Sequence, residues 1–148
     1  MIIGGVAGGA STAARLRRLD EQAEIILFEK GEYISYANCG LPYYIGGVIE
    51  ERERLFVQTP ESFKARFNIE VRIKSEVKAI EPENKQVVIK DWATGKTYRE
   101  SFDKLVLSPG AEPVLPPWEG IRTEGIFTLR NVADTDRIKA WALSLIHI

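Results

Sequence analysis

The chain has 148 residues, 45% of them hydrophobic, with one cysteine and a formal net charge of -1. That is enough apolar material for a domain core, and the near balance of acids and bases gives no sign of nucleic acid or a membrane surface as an electrostatic partner. No apolar run approaches the roughly 20 residues a membrane span needs, no leader-like segment opens the chain, and a lone cysteine forms no internal disulfide, so a reducing, cytoplasmic setting is expected.

In chain order, Ile2-Ile3, then Gly4-Gly5-Val6-Ala7-Gly8-Gly9, then residues 10–19 predict a strand, a tight turn and a helix. Ala13, Ala14, Leu16 and Leu19 keep helical spacing, while Arg15, Arg17 and Arg18 spread over other faces. Residues 24–29 form an apolar run ending in Glu29, which reads as a buried parallel strand. The three pieces make a βαβ unit. Asn38-Cys39-Gly40-Leu41-Pro42 opens a predicted helix through Ile45, stopped by Gly46-Gly47. Thr59-Pro60-Glu61 is a helix start, with a cap residue, a first-turn proline and an acid on the positive dipole end. Short strands are predicted over 71–73, 77–80, 86–90 and 97–102, with a hairpin turn at 93–96. A further apolar strand over 104–107 leads into Ser108-Pro109-Gly110. Pro113, Pro116 and Pro117 mark an extended segment, and residues 134–141 read as a last helix. Trp92, Trp118 and Trp141 read as packing or turn residues. The expected fold class is α/β, a three-layer Rossmann-like nucleotide-binding domain with a small antiparallel β-sheet.

The glycines at 4–9 permit a sharp turn and a close backbone approach, and the helix after them offers free N–H groups to a pyrophosphate. Glu29 stands 20 residues after Gly9, where a carboxylate accepts from a ribose hydroxyl. Val6 occupies the middle glycine position of Gly-x-Gly-x-x-Gly, so the pyrophosphate should sit slightly off or the backbone should shift. A second small-residue turn at Ser108–Gly110 suits an enzyme that binds FAD first. Cys39, at the expected start of a helix, is placed where oriented N–H groups stabilise a thiolate nucleophile.

Taken together, residues 3–9, Arg17-Arg18-Leu19-Asp20, Phe28-Glu29-Lys30, residues 35–47 around Asn38-Cys39-Gly40-Leu41-Pro42, and residues 103–113 resemble the coenzyme A-disulfide reductases. These are a single-cysteine branch of the pyridine nucleotide-disulfide oxidoreductases. The resemblance covers residues 1–142. It implies that NAD(P)H reduces FAD, that FAD passes electrons to Cys39, and that Cys39 attacks a CoA disulfide or a CoA persulfide through a mixed disulfide. It implies FAD contacts at Gly4, Gly5, Val6, Ala7, Gly8, Gly9, Glu29, Lys30, Asn38, Cys39, Val77 (through its backbone), Ser108, Pro109 and Gly110. It implies CoA contacts at Ser11, Arg15, Arg18, Ser35, Asn38 and Arg66, and no metal. A homodimer is expected, with NAD(P)H-binding and dimerisation domains outside these residues.

Two departures within that family narrow the chemistry. Tyr44 stands five positions after Cys39, where dithiol relatives carry a second cysteine, so the other half of any disulfide must be external. Ala7 stands where peroxidase relatives carry a first-turn histidine. An NADH oxidase cycling Cys39 through a sulfenic acid with O2 as acceptor is the alternative enzyme, and a ferredoxin reductase-like electron carrier with a structural Cys39 is the alternative class. Residues 143–148 match what a common transposon-end sequencing adapter encodes in one reading frame. They are expected to be a cloning scar, with no role for His147.

Overall fold

The computed structural model describes residues 1–145. It divides into two compact units, Met1–Tyr36 with Phe56–Gly110, and Ala37–Leu55 with the residues from Ala111 onward. The elements run β1 (Ile2–Ile3), α1 (Ala7–Leu19), β2 (Ile26–Phe28), α2 (Leu41–Ile45), α3 (Pro60–Phe67), β3 (Glu70–Arg72), β4 (Ser75–Glu81), β5 (Gln86–Asp91), β6 (Thr97–Ser101), β7 (Val106–Leu107) and α4 (Val132–Leu145).

In the first unit, β3, β2, β1 and β7 lie side by side in that order, all parallel. The strand alternation of side chains sorts them onto two faces. Ile2 is in register with Leu27 and Val106, and Leu27 with Val71. This row packs with Ala10 and Ala13 of α1 and Phe63 of α3 into one core. The next row, Ile3 and Phe28, faces the other way and packs with Ile26 against Val87 and Ile89 of β5. Leu27 and Phe28 are both almost fully buried, each worth about 1.5–3 kcal/mol. The third layer is therefore the antiparallel sheet itself, ordered β4-β5-β6.

Arg72 closes the edge between these two sheets. Its guanidinium stands 5.3 Å from the Phe28 ring centroid and donates to Glu70 of its own strand at 2.6 Å and to Tyr98 and Glu100 of β6. The segment predicted at 71–73 spans Glu70–Arg72 and belongs to the parallel sheet, because Val71 extends the helix-facing row.

The local signals at helix and turn boundaries hold. Thr59 caps α3 through its side chain, and Ser62 reciprocates on the Thr59 amide, a capping box with serine in the acid's place. Asp91 ties the β5–β6 turn by accepting the Ala93 and Thr94 amides. The first helix begins at Ala7 rather than 10, so Gly8 and Gly9 form its first turn and the tight bend is confined to Gly4–Val6.

In the second unit, the helix predicted over 38–45 is split. Asn38–Gly40 forms a 3₁₀ turn, and α2 follows with five residues. Arg52 pairs with Asp136 of α4 through two nitrogens, at 2.9 and 2.6 Å, and Lys139 lies 3.5 Å over the Tyr44 ring centroid. The helix α4 starts at Val132, capped by Asn131 and Asp134, which accept each other's amides. It continues through Leu143–Leu145, while His147 lies outside the described residues. Among the described residues no helix is long and apolar enough to cross a membrane, and no cluster of metal-ligating side chains occurs.

Candidate functional site

The bend after β1 is built by close contact. Gly4 has φ +95°, and a Cβ there would stand 2.0 Å from the Ser108 carbonyl oxygen. A Cβ on Gly9 would stand 1.7 Å from the Gly4 carbonyl oxygen. Only glycine fits either place. Ser108, whose amide donates to Ile3 at 2.8 Å, thus brings the second small-residue turn against the first. Val6, at the middle glycine position of the motif, has a negative φ of -89°. Its side chain lines a neighbouring groove, so the backbone accepts valine without a left-handed residue.

The N-terminus of α1 carries no side-chain cap and no acidic residue in its first turn. Its leading amides have no acceptor within the helix. Gly8 is exposed, and a Cβ on it would meet only the Ser108 side chain, at 3.2 Å. An uncapped 13-residue helix behind an open glycine face fits a diphosphate. Glu29 is buried at the end of β2. Its Oε2 accepts the Gly5 amide at 2.7 Å and its Oε1 the Gly31 amide at 2.8 Å. Each oxygen keeps a lone pair for a hydroxyl donor.

The same unit brings Ser11 and Ser35 together. Both line a groove of about 330 Å³ with Val6, Ala14, Phe63 and Phe67. Ser35 is held at φ 45° by its amide donating to Gly5 at 2.9 Å and its carbonyl accepting from Val57 at 2.8 Å. A left-handed non-glycine residue costs about 1–2 kcal/mol, and here it folds the loop back onto the glycine bend. Arg66, exposed on α3, lies 5.2 Å from the Phe67 ring centroid. Arg15 and Arg18 are exposed on α1.

Arg17 is different. Its Nε donates to the Phe67 carbonyl at 2.7 Å, Nη2 to the Asn68 carbonyl at 3.0 Å, and Nη1 to the Glu21 carbonyl at 2.7 Å. It joins the ends of α1 and α3 and thereby fixes two groove walls. Nothing in the sequence spacing separates it from Arg15 and Arg18. Phe63, Phe67 and Gln58 also line the groove and were not among the expected contacts. Lys30 is exposed beside Glu29. Val77 pairs with Ile89 where the β4 register shifts, an irregularity that interrupts the regular ladder at its backbone. Pro109 and Gly110 are exposed, and Gly110 has φ 76°.

Cys39 and Asn38 belong to the second unit. Cys39 is exposed, in the 3₁₀ turn ahead of α2. The turn is pinned by the Gly40 amide on the Ala37 carbonyl at 2.9 Å, and Gly40 is buried against Leu55 and Ile49. With α2 only five residues long, the dipole expected behind the thiol is that of a short segment.

A parallel sheet with a glycine bend, an acid closing the second strand and an exposed lone thiol defines a dinucleotide-binding domain of the redox flavoprotein type. The chain belongs to the pyridine nucleotide-disulphide oxidoreductases, whose family profile matches residues 1–144. Over 138 residues it is 46% identical to the coenzyme A disulfide reductase of Staphylococcus aureus strain JH9, covering 93% of this chain and 31% of that protein. The structure of reduced Bacillus anthracis CoADR-RHD is 59% identical with a TM-score of 0.95, covering 97% of this chain and 26% of that one. The NAD-dependent persulfide reductase from A. fulgidus is 36% identical with a TM-score of 0.90, over 97% and 26% of the two chains. The water-forming NADH oxidase from Lactobacillus brevis is 27% identical with a TM-score of 0.89, over 96% and 31%. The chain spans about a third of the length of the curated relatives it matches.

Proposed function

We propose that this chain provides the FAD-binding and thiol-bearing portion of an NAD(P)H-dependent oxidoreductase that reduces CoA disulfide, or a CoA persulfide, through Cys39. The observation that carries the reading is an exposed lone thiol in a turn beside Asn38, in a chain whose glycine bend fits a dinucleotide. The glycine bend, the α1 amides, Glu29 and Ser108 would hold FAD, with Lys30, Val77, Pro109 and Gly110 bordering it. FAD, when bound, supplies the two-electron link between NAD(P)H and sulfur.

The chain's own part in the chemistry is nucleophilic. The Cys39 thiolate attacks one sulfur of the CoA disulfide, forming a Cys39–S–S–CoA bond, while the other CoA leaves as its thiolate. Two electrons and a proton then return Cys39 to the thiolate and release the second CoA as a thiol. With a persulfide substrate the leaving group is hydrosulfide. Because Tyr44 replaces a second cysteine, any disulfide at Cys39 takes its other half from an external thiol. The groove with Ser11 and Ser35, in a unit that also exposes Arg15 and Arg18 on α1 and Arg66 on α3, suits a substrate that carries phosphates and an amide-rich arm. A homodimer in the cytoplasm completes the reading, since a reducing compartment keeps a single thiol available.

The test is a chimera in which this chain replaces the matching segment of the Staphylococcus aureus relative. NAD(P)H-dependent cleavage of CoA disulfide that disappears in Cys39→Ser is expected. Unchanged disulfide reduction by Cys39→Ser would overturn the thiol mechanism. The likeness to the Lactobacillus brevis oxidase favours a second reading, an NADH oxidase with a sulfenic acid at Cys39. Release of CoA from the purified chimera on mild reduction distinguishes the first from the second.

A further inference from the structure

Arg130, outside every motif considered so far, touches the turn that carries the thiol. Its Nε donates to the Ala111 carbonyl at 2.6 Å, and its Nη1 reaches the Asn38 side-chain oxygen at 3.5 Å. Its own amide donates to Asp134 of the α4 cap at 3.0 Å. The residue is thus anchored to the helix cap through its backbone, and its side chain is held to the segment after Gly110. The Asn38 contact is long for a hydrogen bond, yet its consequence does not depend on its strength alone. A guanidinium has only donors, so the Asn38 atom facing it must be the oxygen. The amide nitrogen is then turned to the other side.

We propose that Arg130 is a positioning residue that sets the orientation of the Asn38 amide, so that the residue next to Cys39 presents N–H donors and no acceptor on its exposed side. Asn38 and Cys39 are consecutive in one 3₁₀ turn, which puts those donors one residue from the nucleophile. The groups they suit are a thiolate and an acceptor oxygen of the substrate. This inference rests on the reading of Cys39 as the reactive thiol.

The chain has one cysteine, so mass gain on treatment with iodoacetamide reports Cys39 alone. Arg130→Gln, whose amide donates or accepts, frees Asn38 to turn. The alkylation rate at neutral pH is expected to fall about threefold, the size of one modest hydrogen bond. Arg130→Lys, a donor only, restores the rate, which a loss of packing would not. Asn38→Asp keeps the partner of Arg130 but presents an acceptor and a charge, and is expected to slow alkylation further. In the chimera, Arg130→Gln should lower kcat/KM for CoA disulfide while Arg130→Lys recovers it. An unchanged alkylation rate in both Arg130→Gln and Asn38→Asp, or no recovery with lysine, overturns the proposal. If Cys39→Ser leaves disulfide reduction intact while the alkylation pattern holds, the thiol mechanism fails and the Arg130–Asn38 coupling stands.

Discussion

The Glu29 carboxylate accepts the Gly5 amide at 2.7 Å through one oxygen and the Gly31 amide at 2.8 Å through the other. The acid that closes β2 is therefore a fastener of the glycine bend as well as a candidate ribose ligand. Glu29→Gln puts an amide nitrogen against one of two N–H donors and leaves that donor without an acceptor. A loss of about 1–3 kcal/mol is expected for a buried unsatisfied group. Urea unfolding of the chain measures it, and stability equal to the wild type would show the carboxylate to be dispensable for the bend.

Gly8 and Gly9 separate folding from cofactor binding. A methyl on Gly9 has no room against the Gly4 carbonyl, so Gly9→Ala should fail to fold. A methyl on Gly8 meets only the end of Ser108 and lies in the first turn of α1, where alanine is favoured over glycine by roughly 0.5–1 kcal/mol. Gly8→Ala should keep the thermal midpoint of the chain while weakening FAD binding to the chimera on the order of tenfold, or 1.4 kcal/mol. Flavin fluorescence titration reads this, and an unaltered FAD affinity would move the diphosphate away from that turn.

The three arginines of α1 should divide by role. Arg17→Ala removes a clamp on the Phe67 and Asn68 carbonyls and is expected to lower stability by about 1–2 kcal/mol. Arg15→Ala and Arg18→Ala, at exposed positions, should stay within about 0.5 kcal/mol. Their effect should instead be a raised KM for CoA disulfide in the chimera. Denaturant melts with steady-state kinetics separate the two patterns, and a stability loss in Arg15→Ala equal to that in Arg17→Ala would contradict the division.

The β5–β6 hairpin should be acid-sensitive through Asp91. The Thr94 hydroxyl, followed by the Thr94 and Ala93 amides, holds its carboxyl below the usual range. A carboxyl with a depressed folded-state value adds stability above its unfolded value, and that contribution disappears as the pH falls through the folded value. Asp91→Asn should therefore lose stability at neutral pH and converge with the wild type under acid conditions below that range. Thermal melts across pH test this, and a constant gap between the two proteins would exclude the carboxylate as the origin.

Much of the architecture was legible because it is written locally. The βαβ opening follows from a glycine bend between two apolar runs, Thr59-Pro60 marks a helix start by itself, and residues 93–96 mark a turn. The start of α1 at Ala7 was masked by Gly8 and Gly9, of poor helix propensity, although Gly9 packs against Gly4. The helix over 38–45 broke into a 3₁₀ turn and one short helix because Gly40 is drawn in against Leu55 and Ile49, partners that no window around Cys39 contains.

The sequence by itself determined the glycine bend, the acid that closes the next strand and the lone thiol, since each depends on residue type and short spacing. Tertiary structure alone decided that Glu70–Arg72 joins the parallel sheet, that Arg17 is a clamp, and that Arg130 reaches Asn38 across 92 positions. A short strand or a surface arginine looks the same along the chain whichever partner it meets. The partner is chosen when distant segments close over a shared core, and that choice is made by burial and register rather than by local preference.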